Sequence, residues 1–313
     1  MAEQTIIPPV SRDLLKQELS KERFVRYTRK GDNEIYVVNY HNSPNTLREI
    51  GRLREEAFRG AGGGTGKELD IDENDTSENC YQQLIVWDPE DEEIISGYRF
   101  IKCTNVLDTV GAEDGHHSLS TEHYFKFEDK FIKEYLPKTI ELGRSWVQTA
   151  YQPINSPRKG LYALDNIWDG LGIITVMNPE VEYFFGKATM YPHYNLECKA
   201  FLLHFMHYYF PDKENLLTPK HPLEIDYDAA AFDQMLEGLN FKEGFKVLNQ
   251  YVRERKEIVP PLVNIYMHLS PSMKTFGTAV NPDFGGVEEI GIMVKITDIY
   301  EDKKARHLES IRR

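Results

Sequence analysis

The stretch QQLIVWDPEDEEIISGYRFIKC, residues 82–103, reads as two β-strands joined by a short turn. The apolar, β-branched and aromatic runs 82–88 and 93–103 flank Pro89-Glu90-Asp91-Glu92, a composition that reverses the chain. Arg99 alternates with Tyr98 and Phe100, so it faces away from them, into a polar cleft or into solvent.

Working outward, TIELGRSWV (139–147), VEYFFGKATM (181–190) and GIMVKITDI (291–299) read as further strands. Helices are expected over 11–30 with a Ser cap, over 46–58, from about 160, over 196–210 and across most of 229–255. In 46–58, Thr46 and Glu49 form a capping-box pattern, and Leu47, Ile50, Leu53, Arg54 and Phe58 share the inward side. The helix from about 160 carries Leu161, Leu164, Ile167, Trp168, Leu171 and Ile174 at helical spacing, and 212–225 reads as loop. Helices mixed with an antiparallel-looking sheet predict an α/β (α+β) fold. The expected layout is a basic helix and lead-in over 1–45 and a main domain over 46–300. That domain has a C-terminal extension from about 212, and 301–313 form a charged tail.

The 313 residues are 41% hydrophobic, enough for a sizeable core, and the net charge of −13 argues against nucleic acid as a partner. No stretch approaches the roughly 20 apolar residues of a membrane span. MAEQTIIPPV lacks the basic start and apolar run of a secretion signal, so a cytoplasmic setting is expected. Cys80, Cys103 and Cys198 are odd in number and far apart, offering neither a disulfide framework nor a zinc site. His204 and His207 lack a matching acidic ligand pattern, and His116 and His117 sit in a polar turn, so no metal is expected.

REEAFRGAGGGTGKELDIDEND (54–75) imitates a phosphate-binding loop and fails the test. With Gly66-Lys67 as the Gly-Lys pair, the first glycine position is Ala61, and Glu68 stands where a hydroxyl should hold magnesium. The run also follows a helix, not a strand. A hinge or lid beside a site is the alternative. The acidic residues after it, Asp70, Asp72, Glu73 and Asp75, do not fit a calcium loop. Asp72 and Asp75 are read as anchors for Arg54 and Arg99, because an inward arginine needs a partner when buried, or as a site for the acceptor's polar end.

Taken in order, Arg54-x3-Phe58, Asp72-Glu73-Asn74-Asp75, LIVWDPEDEEIISGYRFI and Glu141-Leu142-Gly143-Arg144-Ser145 resemble the acyl-homoserine-lactone synthases. They are closer to the hemolysin-like N-acyltransferases that make ornithine and glycine lipids; both groups belong to the GNAT superfamily. FFGKATMYPHYN (184–195) and VPPLVNIYMHLSPSMKTFGTAVNPDFG (259–285) are similar to the lipid-making branch, and the resemblance spans about 45–300. Trp146-Val147 replaces that family's Cys-Val, and Gln152–Pro157 reads as an insertion in the donor loop.

The resemblance implies a GNAT-like mixed central sheet flanked by helices. It also implies transfer of a long-chain, 3-hydroxy fatty acyl group to the amine of a small amino acid. The donor would be a phosphopantetheine thioester on acyl carrier protein, less readily acyl-CoA. Glu141 would take the amine's proton, and Arg144 would fix acidic groups of the site or the acceptor's carboxylate. Arg54, Phe58, Asp72, Asp75 and Arg99 would shape the acceptor side. Val147, Arg158, Lys159 and Gly160 would hold the donor, the last three as cations and a glycine ahead of a helix start. Lys16, Lys21, Arg23, Arg26, Arg29 and Lys30, with Arg158 and Lys159, are the expected docking charges for acidic carrier protein or for peripheral contact with the inner membrane surface. The competing readings are a non-catalytic acyl-chain-binding protein on this fold and a lactone-signal synthase.

Overall fold

The computed structural model describes residues 3–111, 118–152, 155 and 157–307. The pair read first from the sequence is present: β3 (Gln82–Asp88) and β4 (Glu93–Lys102) form an antiparallel hairpin. Asp88 closes its turn by accepting the amides of Glu90 and Asp91. Both faces of β3 are apolar because both are covered. Leu84 and Val86 pack in the cluster containing Leu171 and Ile174, while Ile85 and Trp87 pack in the one containing Ile50 and Leu53.

Upstream lie α1 (Arg12–Glu18), β1 (Phe24–Tyr27), β2 (Glu34–Val38) and α2 (Pro44–Gly60). The helix expected over 11–30 therefore stops at Glu18; Phe24-Val25-Arg26-Tyr27 is β-prone and pairs with β2. The capping box at Thr46 and Glu49 is also absent. Glu18 of α1 reaches across instead and accepts the amides of Asn45 and Thr46, satisfying free donors at the start of α2 with a full negative charge. Leu47, Ile50, Leu53 and Arg54 are buried, as their spacing predicts.

After the one-turn α3 (Glu73–Thr76) and the hairpin come β5 (Phe125–Phe127), β6 (Thr139–Val147), α4 (Pro157–Met177) and β7 (Tyr183–Met190). The remainder is α5 (Leu196–Tyr209), β8 (Leu217–Pro219), α6 (Ala229–Leu236), α7 (Phe241–Glu254), α8 (Pro261–Met267), β9 (Lys274–Asn281), β10 (Val287–Lys295) and α9 (Glu301–His307). Residues 212–225 are not wholly loop, because β8 pairs there with β5. The expected closing strand 291–299 starts earlier, at Val287, and ends at Lys295.

Eight strands form one mixed sheet in the order β1-β2-β3-β4-β6-β7-β10-β9. Among the described strand pairs of this sheet, β6 and β7 alone run parallel, and α4 connects them. The lead-in and the segment after 212 thus supply strands at opposite edges of the same sheet. One face carries α4 and, beside β7 and β10, the aromatic α5 with α7 and α8. The other carries α1 and α2 and, further along, Cys103, Val106, Leu119, Phe131 and Leu136 with β5 and β8.

Candidate active site

On that second face a row of charged side chains is sealed under residues 70–75. Arg54 donates Nε to Asp70 at 2.9 Å and both Nη atoms to Asp75 at 3.1 Å. Arg99 grips Asp72 in a two-pronged contact at 2.7 and 2.9 Å and lies 3.0 Å from Asp75. Gln83 adds a hydrogen bond to Asp75. Asp72 and Asp75 also cap α3 reciprocally. Burial would raise the pKa of Asp70, but the guanidiniums of Arg144 and Arg54 outweigh it and hold the group at about 2. Asp72 is held below its ordinary value by Arg99 in the same way.

Arg144 sits at a β-bulge. The β4–β6 register shifts between Gly97 and Arg99, and Arg144 adopts φ 50°. This turns its guanidinium toward Asp70 at 2.9 Å and over the ring of Phe284 at 4.2 Å. Phe58 of α2 meets the same ring edge-on.

Immediately past this point the sheet opens. β6 and β7 pair only from Thr139–Tyr183 to Leu142–Gly186, although both strands continue. Gly186 permits the last close contact, since a Cβ there would lie 2.4 Å from the Leu142 carbonyl oxygen. Between the parted strands lies a cavity of about 350 Å³. Its wall on the α4 side is apolar: Tyr98, Leu142, Trp168, Leu171 and Tyr266. Its wall on the other face is polar: Arg144, Lys187, Thr189 and Glu289, with Phe58 and Phe284 at the rim. Strand alternation explains the division, because Phe184 packs toward α4 and Phe185 toward the opposite face, so Lys187 and Thr189 follow Phe185.

Glu289 is fully buried and receives hydrogen bonds from Thr189 Oγ1 at 2.9 Å and Asn281 Nδ2 at 3.0 Å. Burial opposes its charge, yet Lys187 and these two donors prevail and keep its pKa below the ordinary glutamate value. Lys187 is pulled the other way: burial lowers its pKa, only partly offset by Glu289. Glu141, the expected base, is also buried but does not line the cavity. Its carboxylate accepts from Thr121 Oγ1 at 2.9 Å and from Tyr81, and burial raises its pKa to about 7. The strand period is the reason, since Leu142 takes the cavity position and Glu141 the covered one. Of the two carboxylates that line the cavity, Glu257 and Glu289, Glu289 lies on the polar wall; a charge beside an apolar strand run, Glu289 before IGIMV and Lys187 in FFGKATM, was the available sequence signal.

Of the remaining expected residues, Phe58 and Arg144 border the cavity, whereas Arg54, Asp72, Asp75 and Arg99 form the network behind it. Val147 ends β6 opposite Ser96. Arg158, Lys159 and Gly160 do not precede α4 but fall in its first turn, because the helix begins at Pro157; their side chains lie outside the described residues. His116 and His117 lie outside them too. His204 pairs with Asp233 at 3.0 Å. The glycine stretch, expected as a hinge or lid, is stitched in place. Glu55 accepts from Thr65 and Gly66, and the N-terminal segment bonds to it through Gln4 N to Gly66 O and Ile7 N to Glu68 O. Gly64 has φ +92°, and a side chain there would press on the Arg59 backbone at 3.2 Å. Among the described residues no helix is long and apolar enough to cross a membrane.

Comparison with known proteins agrees with this architecture. The family model for the acetyltransferase (GNAT) domain matches residues 53–158. A glycine N(alpha)-acyltransferase of Phocaeicola vulgatus is 52% identical over 307 residues, covering 98% of this chain and 93% of that protein. One of Bacteroides thetaiotaomicron is 51% identical over 308 residues, covering 98% and 90%. No solved structure matches. A parted parallel strand pair, a cavity through the sheet at that opening and full-length likeness to two acyltransferases lead to one conclusion: the chain belongs to the GNAT acyltransferases.

Proposed function

We propose that this enzyme moves a long-chain, 3-hydroxy fatty acyl group from the phosphopantetheine thioester of acyl carrier protein to the amine of glycine. The product is an N-acyl amino acid, a lyso-aminolipid, and a free thiol. The observation that carries the reading is the two-sided cavity. Its apolar wall suits an acyl chain, and its polar wall sets a buried carboxylate beside a buried ammonium. The printed names of the two relatives supply glycine as the acceptor. The likeness of 184–195 and 259–285 to lipid-making enzymes supports the long chain and the carrier-protein donor.

In this mechanism Glu289, kept ionised by its neighbours, takes a proton from the bound ammonium. The freed nitrogen pair attacks the thioester carbon and the C–S bond breaks. Glu289 releases this first proton to solvent, takes the second proton that the nitrogen sheds as the amide forms, and passes it to the departing thiolate, which leaves as the thiol. Backbone N–H groups of β6 beyond Leu142, not paired to β7, would receive the developing oxyanion. Orientation across a slot one strand wide supplies the rest.

The test is lipid mass spectrometry of a heterologous host expressing the protein, paired with the purified enzyme given 3-hydroxyacyl carrier protein and glycine. A new N-acylglycine species is expected in both. Folded enzyme that forms none in either setting refutes the reading.

A further inference from the structure

Lys187 has unused capacity in a place where that is costly. It projects from β7 to the polar wall of the cavity, with its side chain 8% exposed. An ammonium carries three donors and no acceptor. Among the described residues, one donor is used, to Ser120 Oγ at 3.2 Å. Glu289 Oε1 lies 3.6 Å away, beyond hydrogen-bond reach, and is already served by Asn281. The Tyr124 ring covers another side, 4.3 Å from Nζ. What remains faces the cavity. A buried cation with so few partners is costly unless something completes it. Arg144, the other cation on this wall, is committed to Asp70 and stacked on Phe284.

We propose that Lys187 reads the acceptor, taking the carboxylate of a zwitterionic amino acid while Glu289 takes its ammonium. The substrate inserts itself into the long Lys187–Glu289 ion pair and shortens both halves. The inference rests on the acyl-transfer reading above and names which end of the acceptor is recognised. A zwitterion brings no net charge into the buried cluster. A plain amine brings a cation and leaves Lys187 as it was, so it binds worse on both counts.

The experiment compares kcat/KM for glycine and for glycinamide, which keeps the amine and replaces the carboxylate with a neutral amide. The full chain is used, with acyl donor saturating, as wild type, Lys187→Met and Lys187→Arg, each checked by thermal melting. Wild type is expected to favour glycine by about a hundredfold. Lys187→Met should slow both acceptors, because Glu289 loses the cation that helps keep it ionised, but should cost glycine about a hundredfold more than glycinamide, chiefly through KM, so that the preference collapses. Lys187→Arg should keep the preference. Equal loss on both acceptors, a glycine preference that survives Lys187→Met, or a wild type indifferent to the carboxylate overturns the proposal. Should Lys187→Met not fold, the wild-type ratio and Lys187→Arg decide. Should wild type acylate neither compound, the acyl-transfer reading falls by itself. Calorimetric titration with glycine then decides Lys187: binding by wild type and not by Lys187→Arg's neutral counterpart Lys187→Gln supports it, and any other pattern overturns it.

Discussion

Two charge clusters lie on the same face of the sheet and differ in how closely their charges are paired. The first, Arg54, Arg99, Asp70, Asp72 and Asp75, is interlocked: each guanidinium meets two carboxylates at 2.7–3.1 Å. The second, Lys187 and Glu289, is joined at 3.6 Å and borders open space. Close pairing marks the first as a scaffold; the second keeps a loosely paired cation and carboxylate beside open space, and so has more to offer a ligand.

The comparison breaks most readily at Arg54. Arg54→Met leaves Asp70 and Asp75 short of a charge in a fully buried setting, and should cost about 3–5 kcal/mol of stability in urea unfolding. A loss below 1 kcal/mol means the first cluster is not a scaffold. Glu289→Gln should invert the pattern. Stability falls by about 1–3 kcal/mol, less than for Arg54→Met because the Lys187–Glu289 pair is looser and borders open space, while N-acylation measured by product mass spectrometry falls about 10²–10³-fold.

Glu141 lies between the two clusters and sharpens the contrast through pH. Its pKa is about 7 when folded against 4.5 as the ordinary value. Between those values the folded chain keeps a proton that the unfolded chain has released. Stability from this group is therefore complete below pH 4.5 and is lost as pH rises through 7, by up to ~3 kcal/mol. Glu141→Gln should flatten the decline of unfolding free energy over that window and leave the variant the more stable protein at pH 8. Asp70, held at about 2, acts in the opposite sense, and its contribution is lost only as pH falls below about 4.

The smallest expected effect is at Thr189, which donates to Glu289. Thr189→Val removes a bond that lowers the Glu289 pKa. The acidic limb of the kcat/KM profile should move to higher pH, with activity at neutral pH down about five- to tenfold. An unmoved limb would argue that Glu289 is not the group that titrates.

Much of the fold was legible because its central strands are rich in apolar, β-branched and aromatic residues. β3, β4, β6 and β7 begin or end within a residue or two of the positions read from the sequence. β1 was hidden by a basic stretch whose spacing continues that of α1. β9 was hidden by Thr275, Gly277 and Thr278 in KTFGTAVN, a weak strand former held by its neighbour β10. The anchoring of Arg54 and Arg99 by the acidic run was readable because an inward arginine needs a counter-charge. The polar wall was not. Thr189 and Glu289 are 100 residues apart and meet only through the β7–β10 pairing, so no local pattern shows that they share a wall. Glu141 shows the converse limit: a recognisable motif names a residue without saying which side of its strand is open.

The parting of β6 from β7 has one more consequence. Each strand is held along its outer edge, β6 by β4 and β7 by β10, so the gap is framed like a doorway whose posts are fixed by the walls. Its breadth is settled before anything arrives. Admission therefore depends first on a visitor's cross-section, whatever contacts wait inside.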